Sequence, residues 1–139
     1  MNMSRGLVVF YNVENLFETK QKDEKDIIAP FRTSSWTDER LQKKLEDISY
    51  ALCKIDEEPP LIIGLAEVES KSLAQRLAKT GQLSNANYGT LLFSSVDKRG
   101  INCALLFDQN KLRLQEVEKL EITIDEEPDF TTRDILYAQ

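Results

Sequence analysis

The sequence predicts an α/β (α+β) layered sandwich, a mixed sheet carrying helices on its outer face. Three observations lead there. Two runs, Leu7–Tyr11 and Leu61–Ala66, are apolar without alternation, the pattern of strands covered on both faces. Between them, apolar residues recur at helical spacing. The resulting order is strand, helix, strand, helix and then several strands, which is a layered architecture. The length of 139 residues suits one domain, able to bury roughly 68–70% of its unfolded surface.

Taken in order, the first strand, Leu7–Tyr11, ends at Asn12-Val13-Glu14-Asn15. Residues 18–35 are mostly polar and read as a surface loop with local order around Ile27, Ile28 and Phe31. Thr37 suits a helix N-cap, with Asp38 and Glu39 in the first turn where the dipole favours anions. Leu41, Leu45, Ile48, Leu52 and Ile55 then form one apolar stripe on a helix reaching about Lys54. Pro59-Pro60 stops it and leads into the strand Leu61–Ala66. Ser70 or Ser72 caps a shorter helix whose inner face is Leu73, Ala74, Leu77 and Ala78, with Gly81 as its stop. Asn85–Asn87 form a turn. Tyr88–Phe93 and Ile101–Phe107 read as strands joined through Asp97-Lys98-Arg99-Gly100. Leu112–Ile124 suits a strand broken near Glu116, followed by the acidic loop Glu126–Asp129. Thr132–Tyr137 begins a last strand. A strand with no element after it suggests a chain cut short; an ordinary C-terminal edge strand is the alternative.

Composition narrows the chemistry. Hydrophobic residues make 41% and charged residues 30%, a globular balance. No apolar run approaches the roughly 20 residues that span a bilayer. The net charge of -6 argues against a surface given over to nucleic acid, while leaving a local phosphate site open. There is no histidine, which excludes a Ser-His-Asp triad, a Cys-His pair, a histidine zinc site and a histidine general base within this chain. Cys53 and Cys103 lie in apolar surroundings and read as buried, reduced thiols, with a disulfide as the second reading. No signal-peptide pattern is visible, so the expected location is cytoplasmic.

Two strands end in groups suited to a hard metal ion. The first delivers Asn12 and Glu14, the second Glu67, and functional groups gather beyond the carboxyl ends of strands in α/β sheets. Mg²⁺ takes oxygen ligands, often one or two carboxylates completed by water and substrate phosphate. Arg99, ahead of Gly100 and an apolar strand, can hold phosphate oxygens bidentately. Taken singly, each acid also suits a solvated strand end and Arg99 a polar turn.

Together these segments resemble the endonuclease/exonuclease/phosphatase superfamily. Val9-Phe10-Tyr11-Asn12-Val13-Glu14-Asn15-Leu16-Phe17 looks like its first motif. Ile62-Ile63-Gly64-Leu65-Ala66-Glu67-Val68-Glu69 is similar to the second, with Ala66 where the family usually carries Gln. Asp97-Lys98-Arg99-Gly100-Ile101, running into a strand closed by Asp108, looks like the third, and Thr132-Arg133-Asp134-Ile135-Leu136 resembles the strand entering the centre of the fold. The resemblance implies a partial deoxyribonuclease-I-like fold, with residues 1–139 as the N-terminal half of one domain. It implies hydrolysis of phosphate esters with Mg²⁺ or Mn²⁺. By position, Asn12 and Glu67 match the catalytic, metal-ordering pair, Arg99 a phosphate-contacting arginine, and Glu14 an acid that some relatives carry. Nucleic acid is among the substrates the family takes. The family's second half carries a central histidine, a Gly-Asp-x-Asn motif and a terminal Asp-His pair, none of which occurs here. The expectation is therefore an enzyme half that is inactive alone, its partner being the missing C-terminal half. The alternatives are a binding or interaction module that kept the scaffold without catalysis and, at a further remove, a purely structural domain.

Overall fold

The computed structural model describes residues 5–19 and 35–139. The expected order around Ile27, Ile28 and Phe31 lies outside the described residues. In chain order the elements are β1 (Val8–Leu16), α1 (Asp38–Cys53), β2 (Ile62–Val68), α2 (Lys71–Ala78), a 3₁₀ helix (Gly81–Asn85), β3 (Tyr88–Leu92), β4 (Asn102–Asp108), β5 (Val117–Leu120) and β6 (Ile135–Ala138). Four strands form one mixed sheet in the order β1-β2-β4-β3. β1 runs parallel to β2, while β4 is antiparallel to both β2 and β3. β5 and β6 make a separate antiparallel ribbon. The layout is α+β.

The core lies between one face of the sheet and the two helices. Ile63 and Leu65 of β2 and Ala104 and Leu106 of β4 alternate inward, against Leu41, Leu45, Ile48 and Leu52 of α1 and Leu73, Ala74 and Leu77 of α2. Thr37 caps α1 by accepting from the Arg40 amide, and Asp38 and Glu39 occupy the first turn. Ser70 is the cap of α2, accepting from the Leu73 amide. Among the described residues no helix is long and apolar enough to cross a membrane.

Several expectations need correction. β1 is not covered on both faces: Val8 and Phe10 (71%) are exposed, because β1 is an edge strand and the β5–β6 ribbon meets the sheet at β4 instead. Gly64 lets the Phe10 ring lie across β2; a Cβ there would sit 2.9 Å from Phe10 Cδ2. Ile55 continues the stripe in spacing only, since α1 ends at Cys53 and Ile55 is 57% exposed. α2 is capped at Lys79, and Gly81, at φ 56, opens the 3₁₀ helix that takes up Asn85. The long strand expected over Leu112–Ile124 is only Val117–Leu120, whose side chains are mostly exposed and give the sheet little to bury. The last strand starts at Ile135 rather than Thr132. Both cysteines are free thiols, Cys53 buried and Cys103 half-buried.

Candidate functional site

The site begins with a break in pairing. Asn12 and Ala66 are the last partners in regular register between β1 and β2; pairing resumes only at Leu16 and Val68. Residues 13–15 of β1 therefore face the single residue Glu67. Across the other ladder, Ala66 pairs with Cys103 and Val68 with Asn102, so Glu67 has no partner there either. Bulges of this kind re-aim a side chain and are common beside active sites. Glu14, Asn15 and Glu67 have φ of 53, 61 and 69, and they are the only non-glycine residues at positive φ among the described residues. Such conformations cost of order 1–3 kcal/mol each and persist where the surroundings enforce them.

The enforcement is visible. The Glu14 amide donates to Asn12 Oδ1 at 2.9 Å, and the next amide, of Asn15, donates to Glu67 Oε2 at 3.2 Å. Two adjacent peptide N–H groups thus donate to the Asn12 and Glu67 side-chain oxygens. Lys44 of α1 donates to the carbonyls of Glu14 (2.6 Å) and Asn15 (3.4 Å). Its ammonium also lies 5.8 Å from the centre of the Trp36 ring, and Trp36 Nε1 donates to the Phe17 carbonyl at 3.0 Å. Burial lowers the Lys44 pKa, opposed by the charges of Glu14 and Glu67. On the β4 side, buried Asn102 donates to the Val68 and Glu69 carbonyls and accepts from the Ser95 amide at 2.7 Å, fixing the chain just after Glu67.

Arg133 completes the corner. Its Nη1 donates to Glu67 Oε1 at 3.2 Å, both side chains being partly buried. Arg99 is engaged within its own turn. Its Nε and Nη2 donate to Asp97 Oδ1 (3.0 Å) and Oδ2 (2.7 Å), and its amide also donates to Oδ1 at 2.8 Å. The Asp97 carboxylate is 3% exposed and the Arg99 side chain 47%. A buried acid in the same turn thus takes two of the guanidinium's five N–H donors. Burial works against ionisation of Asp97, but the Arg99 hydrogen bonds overcome it and hold the carboxyl below its usual range. The side-chain hydrogen bonds to Asp97 raise the Arg99 pKa against the effect of burial, and the charges of Asp97 and Glu67 add to the rise.

Sequence reading missed Arg133, Lys44 and Asn102 as parts of this corner. Arg133 lies 66 residues from Glu67, with no local signal for the pairing. The other two carried one. Lys44 follows Leu41 by three, at the margin of the helical stripe, and Asn102 is a polar residue inside an apolar strand.

Glu67 and Asn12 offer hard oxygen donors of the type Mg²⁺ takes. Among the described residues no group of three or more acidic, cysteine or histidine side chains is poised for a metal. The oxygens that could meet a hard cation at this corner are one carboxylate, Glu67, and one amide, Asn12. Beside Arg133 an open groove of about 390 Å³ runs between Phe10, Cys103, Leu105 and Ile135. A larger cavity of about 470 Å³ lies at the far edge against β3 and α2 and has no acid in its lining.

The model of the endonuclease/exonuclease/phosphatase family matches residues 7–139, and the chain belongs to that family. Searches of curated proteins and of solved structures return no match.

Proposed function

We propose that this chain carries the metal-ordering part of a divalent-metal-dependent phosphoesterase, built as a partial deoxyribonuclease-I-like fold. The observation that supports the reading is the pair of adjacent amides presenting the Asn12 and Glu67 oxygens at a double bulge. In this reading Glu67 and Asn12 hold Mg²⁺ or Mn²⁺. When bound, the ion supplies activation of water and neutralises charge developing on the phosphate. Lys44 and the two bulges keep the donors in place. Arg99 contributes to phosphate binding through the N–H groups that Asp97 leaves free, and the substrate is a phosphate ester, nucleic acid included.

Residues 1–139 alone should be catalytically silent. The chain holds no histidine to act at a scissile phosphate and no Gly-Asp-x-Asn segment to orient water. General acid–base groups typically contribute about 10²–10⁴-fold, so turnover without them falls close to background. The same facts support a second reading, a binding module on the same scaffold.

The coding sequence beyond codon 139 separates the two. A continuing frame with a histidine and Gly-Asp-x-Asn is expected for the enzyme. Its product should hydrolyse a bis-aryl phosphodiester with Mg²⁺ or Mn²⁺ and lose that activity on Glu67→Gln. A stop codon, with a stable and inactive short protein, favours the module. Metal-dependent turnover by residues 1–139 alone would overturn the assignment of roles.

A further inference from the structure

We infer that Arg133, which donates to Glu67 Oε1, competes with a divalent cation for the Glu67 carboxylate, so that Arg133 limits metal affinity. The inference rests on the proposal that Glu67 is a metal ligand.

Glu67 has two carboxylate oxygens and both are engaged. Oε2 accepts from the Asn15 amide, a backbone group locked in place by the left-handed turn and by Lys44. Oε1 accepts from Arg133 Nη1. Only the second partner can leave, because it is the end of a long side chain. It is also the one with charge. A guanidinium and a divalent cation on the same oxygen repel each other, and the carboxylate cannot neutralise both. With Glu67 at 17% and Arg133 at 27% side-chain exposure, the pair is shielded enough to form and open enough to part. Arg133 has somewhere to go. It lines the open groove beside Phe10 and Leu105. Release would free Glu67 Oε1 for the ion and leave the Arg133 N–H groups to water in the groove.

The test uses Mn²⁺ alone, with free ion followed by electron paramagnetic resonance, on the wild-type chain, Arg133→Gln and Glu67→Gln. A partly exposed charged hydrogen bond corresponds to about a three- to tenfold effect on affinity. Arg133→Gln should bind Mn²⁺ tighter by that factor, and Glu67→Gln should abolish binding. In parallel, Mg²⁺ is titrated into labelled wild-type protein while the Asn15 amide and the Arg133 guanidinium N–H signals are followed by NMR. Both should move with a common midpoint. If Arg133→Gln binds equally or more weakly while Glu67→Gln still abolishes binding, Arg133 does not compete and the inference is overturned, with the metal reading intact. An unmoved Arg133 signal beside a shifting Asn15 amide overturns it equally, even where the variant fails to fold. If neither wild type nor Arg133→Gln binds Mn²⁺, or Glu67→Gln binds as well as wild type, the metal reading itself fails and takes this inference with it.

Discussion

The two sides of β2 and β4 solve opposite problems. Toward the helices, Leu41, Leu45, Ile63, Leu65, Leu73, Leu77 and Leu106 are fully buried in regular strands and helices. At the strand ends, three residues are left-handed, Glu67 is unpaired across both ladders, and Glu67, Arg133, Lys44, Asp97 and Arg99 share one corner. The first region has no conformational strain among its residues and no charge. The second has both, and every strained residue in it is held by a named hydrogen bond. The difference shows where folding free energy is generated and where it is spent. Packing under the helices anchors the ends of β1 and β2, so the corner can keep a geometry that its own contacts would not maintain.

The comparison can be broken by removing packing. Leu45→Ala should cost about 2–5 kcal/mol, read by urea denaturation, because it leaves a cavity in a closed core. A cost below about 1 kcal/mol would mean that the helices do not anchor the sheet. Next is the brace. Asn102→Ala strands the Val68 and Glu69 carbonyls and the Ser95 amide, with an expected cost of about 1–3 kcal/mol. Its effect should extend to Glu67, seen as a shift of the Asn15 amide signal. If stability falls with no change at Asn15, the bulge is independent of Asn102.

The third test is electrostatic. The Asp97 pKa is depressed below 3.8 in the folded protein, so its contribution is complete above that value. It is lost as pH falls through the folded pKa. The stability advantage of wild type over Asp97→Asn should therefore be full at about pH 5 to 7 and shrink below pH 3.8, measured by denaturation across that range. An advantage independent of pH would show that the Arg99 pair does not depend on ionised Asp97.

A smaller effect has the opposite sign. Glu14 is exposed and left-handed at φ 53. Glu14→Gly should stabilise by about 0.5–1 kcal/mol, since relief of the left-handed penalty exceeds the added freedom of the unfolded chain. Destabilisation would place the corner's strain elsewhere. Last, Ile55→Ser should change stability by less than about 0.5 kcal/mol, because Ile55 is exposed beyond the end of α1. A larger loss would mean that the apolar stripe continues past the helix.

What was legible in the sequence follows the same division. The start of α1 at Thr37, its stripe to Leu52, and the apolar cores of β2 and β4 were readable because capping and periodicity are local properties. Asn12 and Glu67 could be singled out because each closes an apolar run. The bulges could not be read, since the count of residues between two ladders depends on which strands pair. The exposure of Phe10 was hidden for a related reason: an apolar run does not say whether a strand lies at the centre of a sheet or at its edge. The Arg99–Asp97 fork was two residues apart and open to sequence reasoning, which weighed the arginine against solvent and phosphate and not against its neighbour. Arg133 required the fold itself.

The extra residue in β2 also changes how the strand counts. Inward positions fall on odd numbers at Ile63 and Leu65, then on the even number Val68, so the two-residue alternation switches parity across Glu67. Removing codon 67 would bring Val68 back into phase with Leu65 and close the gap opposite β4. Most single-codon deletions inside a strand turn its buried side chains outward; this one restores their order. A regular β2–β4 ladder is thus one codon away from the present sequence, while residues 13–15 of β1 would still bulge beside it.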